Sequence, residues 1–161
     1  MQENSAQDSR VAGSDLAARL DAVSAIGRVM ANSVGLDALF SGLVPEITKL
    51  ADAERSTLFL YDDSSQEIWS KVAQGDEVTE IRLPLGRGSA GHVAETWVAI
   101  TMPDPYADAR CKQDVDKVTG FKTRSSLAVP VLGASSLVGV IKVLNRRGGP
   151  FEDADVALME S

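Results

Sequence analysis

The 161-residue chain has one cysteine, one histidine and few aromatic side chains, and each shortage removes a class of chemistry. Cys111 alone excludes an intrachain disulfide. Even with His92 it falls short of the three or four convergent ligands that a zinc site needs. A Ser-His-Asp arrangement would have to rest on His92, and Gly91-His92-Val93-Ala94 carries no nucleophile elbow. The carboxylates gather in turns and at helix starts, where solvation and capping explain them. The expectation is a domain with no catalytic or metal-ligating residue and no resident cofactor. No apolar run approaches the length of a membrane span, and the N-terminus lacks a signal-peptide core. Excess positive charge is missing as well. A formal charge of −7 argues against nucleic acid as a partner and against a polybasic membrane anchor. A cytoplasmic, reducing setting fits the single cysteine.

What remains is a chain of ordinary globular composition, long enough for one well-filled core. Its charge is uneven. Residues 1–80 hold 14 acids and 6 bases, and residues 81–161 hold 9 acids and 10 bases, so an acidic half adjoins a near-neutral one able to host an anion.

Residues 1–13 are small and polar, which predicts a disordered N-terminus. Ser14 is a candidate N-cap. From there Leu16, Leu20, Val23, Gly27, Met30 and Val34 step by four and three, a heptad seam. Such a helix over 14–34 either packs on its own domain or pairs with a second copy. A second helix is predicted from Asp37 to Ala51, with an apolar stripe of period 3.6 that continues across Pro45. The period then changes to two. Arg55–Tyr61, Glu67–Ala73 and Val78–Leu83 read as strands of an antiparallel meander, joined by turns at Asp62-Asp63-Ser64-Ser65 and Gln74-Gly75-Asp76.

Gly86-Arg87-Gly88-Ser89-Ala90-Gly91 opens a short helix, Ser89–Thr96. The glycines serve a tight turn and a cap, or they let backbone N–H groups at a helix start receive an anion. A short strand over Val98–Thr101 and an extended loop over 102–106 follow, then a polar segment over 107–118 with one or two short helices. Thr119-Gly120-Phe121-Lys122-Thr123-Arg124 combines two hydroxyls, a turn glycine and two cations, which suits a loop or an anionic ligand.

The segment Ser125–Phe151 organises the rest. Two runs rich in β-branched residues, Leu127–Leu132 and Leu137–Leu144, are separated by four turn residues and read as a hairpin. Apolar residues on both faces of the second run predict a sheet covered on both sides. Lys142 is the exception: an ammonium there snorkels to an edge or looks into a pocket.

In this order the motifs resemble those of a GAF domain. They are Arg55–Asp62, Ile81–Pro84, Gly88–Thr96, Pro103–Asp108, Val115–Arg124 and the hairpin ending in Asn145-Arg146. The nearest resemblance is to the GAF domains of cyclic-nucleotide phosphodiesterases and bacterial adenylyl cyclases, and it covers about residues 36–161. It implies an α+β fold with a six-stranded antiparallel sheet and helices on both sides. The domains would then be a disordered 1–13, a dimerisation or signalling helix over 14–34, and a sensor domain over 35–161 whose last helix is cut short. The resemblance also implies a structural lock at Asn145, Arg146, Phe151 and Asp155, with Val156 where the family has Glu. It places ligand positions on Thr57, Ser89, Ala90, Val115, Asp116, Thr119, Thr123 and Lys142. Ala73 stands for a stacking aromatic, Gln74 for its neighbouring acid, and Lys142 for an acidic strand residue. Those three departures weaken a nucleobase site and leave the anion site in place.

The expected function is a non-enzymatic, small-molecule-sensing domain of a larger signalling protein from a bacterial source. Its ligand would be a small anionic or phosphorylated molecule, cyclic nucleotides included. Its partners would be that ligand, a second copy in a homodimer and an effector domain. The alternative is a ligand-free dimerisation module.

Overall fold

In the computed structural model, residues 35–74, 77–107 and 122–160 are described. The heptad segment 14–34 and the polar N-terminus lie outside them. The chain divides into two units, Met1–Leu50 and Ala51–Ser161. In the first, helix α1 spans Leu36–Leu50 and keeps Pro45 inside it. Leu43, Ile47 and Leu50 are buried, so the 3.6-period stripe holds on both sides of the proline.

The second unit is built on a six-stranded sheet. Its strands are β1 (Ala53–Asp62), β2 (Glu67–Gln74), β3 (Glu77–Pro84), β4 (Ile100–Met102), β5 (Ser126–Leu132) and β6 (Leu137–Arg146). The spatial order is β3-β2-β1-β6-β5-β4, and every neighbouring pair is antiparallel. Two local modules, the β1–β3 meander and the β5–β6 hairpin with β4 beside it, thus meet along β1 and β6.

Between β3 and β4 runs α2 (Gly88–Thr96), and α3 (Asp153–Glu160) closes the described chain. The register assigns the faces. Phe59 pairs with Val140, and Ile100 with Ala128, all on the side where α2 buries Ala90, Val93 and Ala94. Ile68 and Met102 complete that layer. On the other side Leu58, Leu127, Val129 and Val143 are also buried, and α3 packs on β5. A sheet covered on both faces explains why both faces of β6 are apolar.

β6 comes unusually close to β1 at Gly139. A Cβ built there would lie 2.0 Å from the carbonyl oxygen of Phe59.

Two connections differ from the sequence-based expectation. The strand placed over Val98–Thr101 begins at Ile100 and ends at Met102. Trp97 ends α2 in a left-handed conformation (φ 60°), its N–H bonded to the Val93 carbonyl at 2.8 Å, while Val98 N–H turns to Thr96 Oγ1. The helix cap consumes the residues that alternation assigned to the strand. The loop expected as extended over 102–106 instead tightens into a 3-10 turn over Pro105–Ala107.

Candidate functional site

The candidate ligand positions Thr57 and Lys142 lie on the α2 face of the sheet. Thr57 on β1 and Lys142 on β6 are cross-strand partners, and Lys142 pairs on its other side with Ala128. Ala128 in turn pairs with Ile100. Four strands therefore contribute one row, Thr57–Lys142–Ala128–Ile100. Alternation puts Lys142 on the same side as Val140, which is fully buried in the cluster that includes α2. Lys142 itself is only half-buried. Thr57 and Lys142 thus stand at the rim of the core, while Ala128 and Ile100 lie inside it.

Ser89 and Ala90 are buried in the first turn of α2. The N-cap residue Arg87 is extended and makes no side-chain cap hydrogen bond, and no acid occupies the first turn. Neither the cap residue nor the first turn of α2 therefore supplies a side chain to the positive end of the helix dipole. Ser89 Oγ is buried and has no hydrogen-bond partner among the described residues. The tight approach to this helix start depends on Gly91, whose Cβ would lie 2.8 Å from the Pro84 carbonyl oxygen.

Thr123 is buried on the stretch leading into β5. Val115, Asp116 and Thr119, along with Cys111, lie outside the described residues. Ala73 and Gln74 close β2 opposite Val78 and Glu77. His92 is half-buried on α2, and among the described residues no group of three His, Cys, Asp or Glu side chains converges as for a metal.

The four motif residues Asn145, Arg146, Phe151 and Asp155 sit away from that row, at the end of β6 and around the start of α3. Asn145 is buried in a left-handed conformation (φ 57°). Its amide uses its whole hydrogen-bonding capacity. Oδ1 accepts from the backbone N–H of Arg124 at 2.5 Å and of Ser125 at 3.2 Å. Nδ2 donates to the Lys122 carbonyl at 2.9 Å and to Glu54 Oε2 at 3.1 Å. Glu54 also bonds Arg124 Nη2. Arg124 first, and Asn145 second, hold the Glu54 carboxyl below the usual carboxylate range. A depressed folded-state value stabilises the fold above the ordinary carboxylate range, and that contribution is lost as pH falls through the depressed value. Sequence reasoning singled out neither Glu54 nor its pairing with Arg124, because nothing local marks residues 70 positions apart as partners.

Arg146 Nε lies 3.3 Å from the buried Asp155 Oδ2, within ion-pair range but misaligned for a hydrogen bond, so the attraction is coulombic. The same carboxylate oxygen accepts from the Glu152 N–H at 2.8 Å, while Asp155 N–H returns a bond to the Glu152 carbonyl at 2.9 Å. That reciprocal pair starts α3 in the manner of a capping box. Asp155→Ala should lower stability by about 1–3 kcal/mol in chemical denaturation, since it removes the acceptor and leaves Arg146 without its counter-charge. An unchanged midpoint would show that the pair carries no structural load.

Comparison with known proteins places this architecture. A probable 3',5'-cyclic phosphodiesterase of Caenorhabditis elegans is 33% identical over 134 residues, 76% of this chain and 18% of the relative. The cGMP-specific 3',5'-cyclic phosphodiesterase of Drosophila virilis is 30% identical over 148 residues, 81% of this chain and 17% of the relative. The chain thus spans less than a fifth of the curated relatives it matches. These are animal proteins, which contradicts the bacterial source expected from the cyclase side of the resemblance. Among solved structures, the GAF domain of a phosphoenolpyruvate-protein phosphotransferase from Coxiella burnetii superposes with a TM-score of 0.73 at 20% identity, covering 89% of this chain and 86% of that one. Residues 35–161 match the family model described as GAF domain, and the chain belongs to the GAF family.

Proposed function

We propose that this domain is the sensor of a larger signalling protein and that it takes a small anionic or phosphorylated ligand between α2 and the Lys142 row. The observation that carries this reading is the buried Ser89 hydroxyl, left without a hydrogen-bond partner among the described residues at an uncapped helix start. A buried hydroxyl of this kind is costly unless something meets it. An anion there would receive the hydroxyl, the first-turn amides and the favourable end of the dipole. Lys142 supplies a cation on β6 and Thr57 a neutral donor on the strand beside it, while Thr123, buried on the lead-in to β5, joins them by motif. Thr119 belongs to the same set by motif. Cyclic nucleotides are the named special case, in keeping with the cyclic phosphodiesterase relatives. The exchange of an acid for Lys142 and of an aromatic for Ala73 favours ligands without a nucleobase.

In this reading the domain regulates and does not catalyse. Ligand binding would stabilise one arrangement of the segment between Pro103 and Lys122, and the helices at either end would pass the difference to a second copy and to an effector domain. The test is a thermal-shift panel of cyclic mono- and dinucleotides, organic acids and inorganic anions on the wild type, Lys142→Met and Thr119→Val. A true ligand at a hundredfold its Kd should stabilise the wild type by about 2.7 kcal/mol, and both variants should weaken that shift. If no anion moves the wild type, or if every shift survives in both variants, the domain is better read as a ligand-free dimerisation module.

A further inference from the structure

The two edges of the sheet are unequal. β4 offers three residues, a short edge that discourages further pairing, whereas β3 offers eight, with no proline before its last position. The backbone of β3 turns alternately toward β2 and away from it. Leu85 N–H donates to the carbonyl of Gln66, the residue opposite it when the β2–β3 register is carried one step on, at 3.4 Å. Leu85 and Gln66 thus make a hydrogen-bonded pair, and alternation gives Leu83 and Ile81 the same inward role. Arg82 and Glu80 therefore turn their N–H and C=O groups outward. So does Pro84, whose missing N–H costs the ladder nothing at such a position. Among the described residues no strand pairs with that outer edge.

Charge decides what can pair there. Glu80 and Arg82 are both exposed on the face away from α2, with Oε1 and Nε 2.6 Å apart. On the inner side the register sets Lys71 opposite Glu80 and Trp69 opposite Arg82. An edge guarded by one sign of charge would repel its own copy, but here the signs alternate. Two antiparallel β3 strands can bond only through their outward residues, which limits where the two-fold axis can pass. An axis at Glu80 sets two carboxylates face to face, and one at Arg82 two guanidiniums. An axis at Ile81 sets Glu80 of each copy opposite Arg82 of the other, and each such pair exchanges both backbone bonds. On the α2 face Ile81 then meets Ile81 of the other copy at a non-hydrogen-bonded site, where Cα atoms stand about 4.5 Å apart and side chains touch. Ile81 and Leu83 are half-buried at the border of the core cluster, so pairing would extend that core.

We propose that β3 docks the β3 strand of a second copy, antiparallel about Ile81, to make one continuous sheet. The contact is separate from any pairing through the helices at either end. The test puts a thiol on the axis, Ile81→Cys in a Cys111→Ser chain, and follows disulfide formation between copies under mild oxidation. Salt at about 0.15 M, with a Debye length of about 8 Å, screens the repulsion between two chains of charge −7. Ile81→Cys should cross-link at least about tenfold faster than Leu83→Cys, because opposed Cα atoms at the axis lie within disulfide range while Leu83 faces Thr79. Added to Ile81→Cys, Glu80→Arg and Arg82→Glu should each slow cross-linking about tenfold by setting like charges opposite. Mixing those two chains should restore the rate and give the mixed dimer by mass, since each then supplies the sign the other lacks. General repulsion would instead favour Glu80→Arg, which makes the chain less acidic, and disfavour Arg82→Glu. Cross-linking no faster at Ile81→Cys than at Leu83→Cys would overturn the proposal. So would charge variants that mixing does not rescue.

Discussion

Replacing Gly139 by alanine should leave the domain largely unfolded. The added methyl group would sit 2.0 Å from the Phe59 carbonyl oxygen and 3.1 Å from its carbon, both backbone atoms of the neighbouring strand. A flexible side chain could swing away; a paired strand cannot. Relief would require β6 to separate from β1 where the two halves of the sheet join. The expected loss exceeds about 4 kcal/mol, comparable with the whole stability of a typical domain. Gly148→Ala is the matched control, because its methyl group would meet only the Arg146 guanidinium at 3.8 Å. Urea melts of both variants make the comparison. A shift for Gly139→Ala no larger than for Gly148→Ala would mean that the strands adjust more freely than their packing indicates.

Asn145→Ala should be nearly as damaging, at about 3–5 kcal/mol. The substitution strips partners from two backbone N–H groups, of Arg124 and Ser125, and from the Lys122 carbonyl. It also removes a donor to Glu54 and places a Cβ-bearing residue without a compensating side chain at φ 57°. Asn145→Gly separates the two costs, since glycine accepts the backbone conformation but makes none of the four bonds. If the hydrogen bonds dominate, glycine and alanine will be similarly unstable, and hydrogen exchange at the Ser125 amide will accelerate in both. A glycine variant close to the wild type would show that the conformation, and not the bonding, makes asparagine necessary.

These two residues mark where sequence reasoning reaches and where it stops. Elements were legible because they are written locally. The period-two runs became β1, β2 and β3, and the four-residue gap after Leu132 became the hairpin turn. The start of β4 was misplaced because Trp97 takes a left-handed cap that its residue type does not advertise. The family motifs named Thr57 and Lys142, but their being opposite each other is a fact of register between strands eighty-odd positions apart. Gly139 carried no signal beyond its place in the second run of the hairpin, since close approach of two backbones leaves no trace in composition. Asn145 was visible as part of a motif, but its work requires Glu54 and Lys122–Ser125 to converge, and convergence is decided by the fold. Glu54 carried no signal at all.

The order of strands also bears on how fast the domain can form. Each half of the sheet assembles from neighbours in sequence, but the junction of β1 and β6 brings together groups such as Glu54 and Asn145, 91 positions apart. The pair Leu58 and Ser70, bonded through the serine hydroxyl, spans 12. Closing the longer loop costs roughly 2 kcal/mol more chain entropy than closing the shorter one. The central seam is therefore the slow contact, to be made after the two hairpin modules exist, and the domain should fold at the slower end for its size. Because the seam closes in the slow step, mutations that weaken its contacts should lower the folding rate.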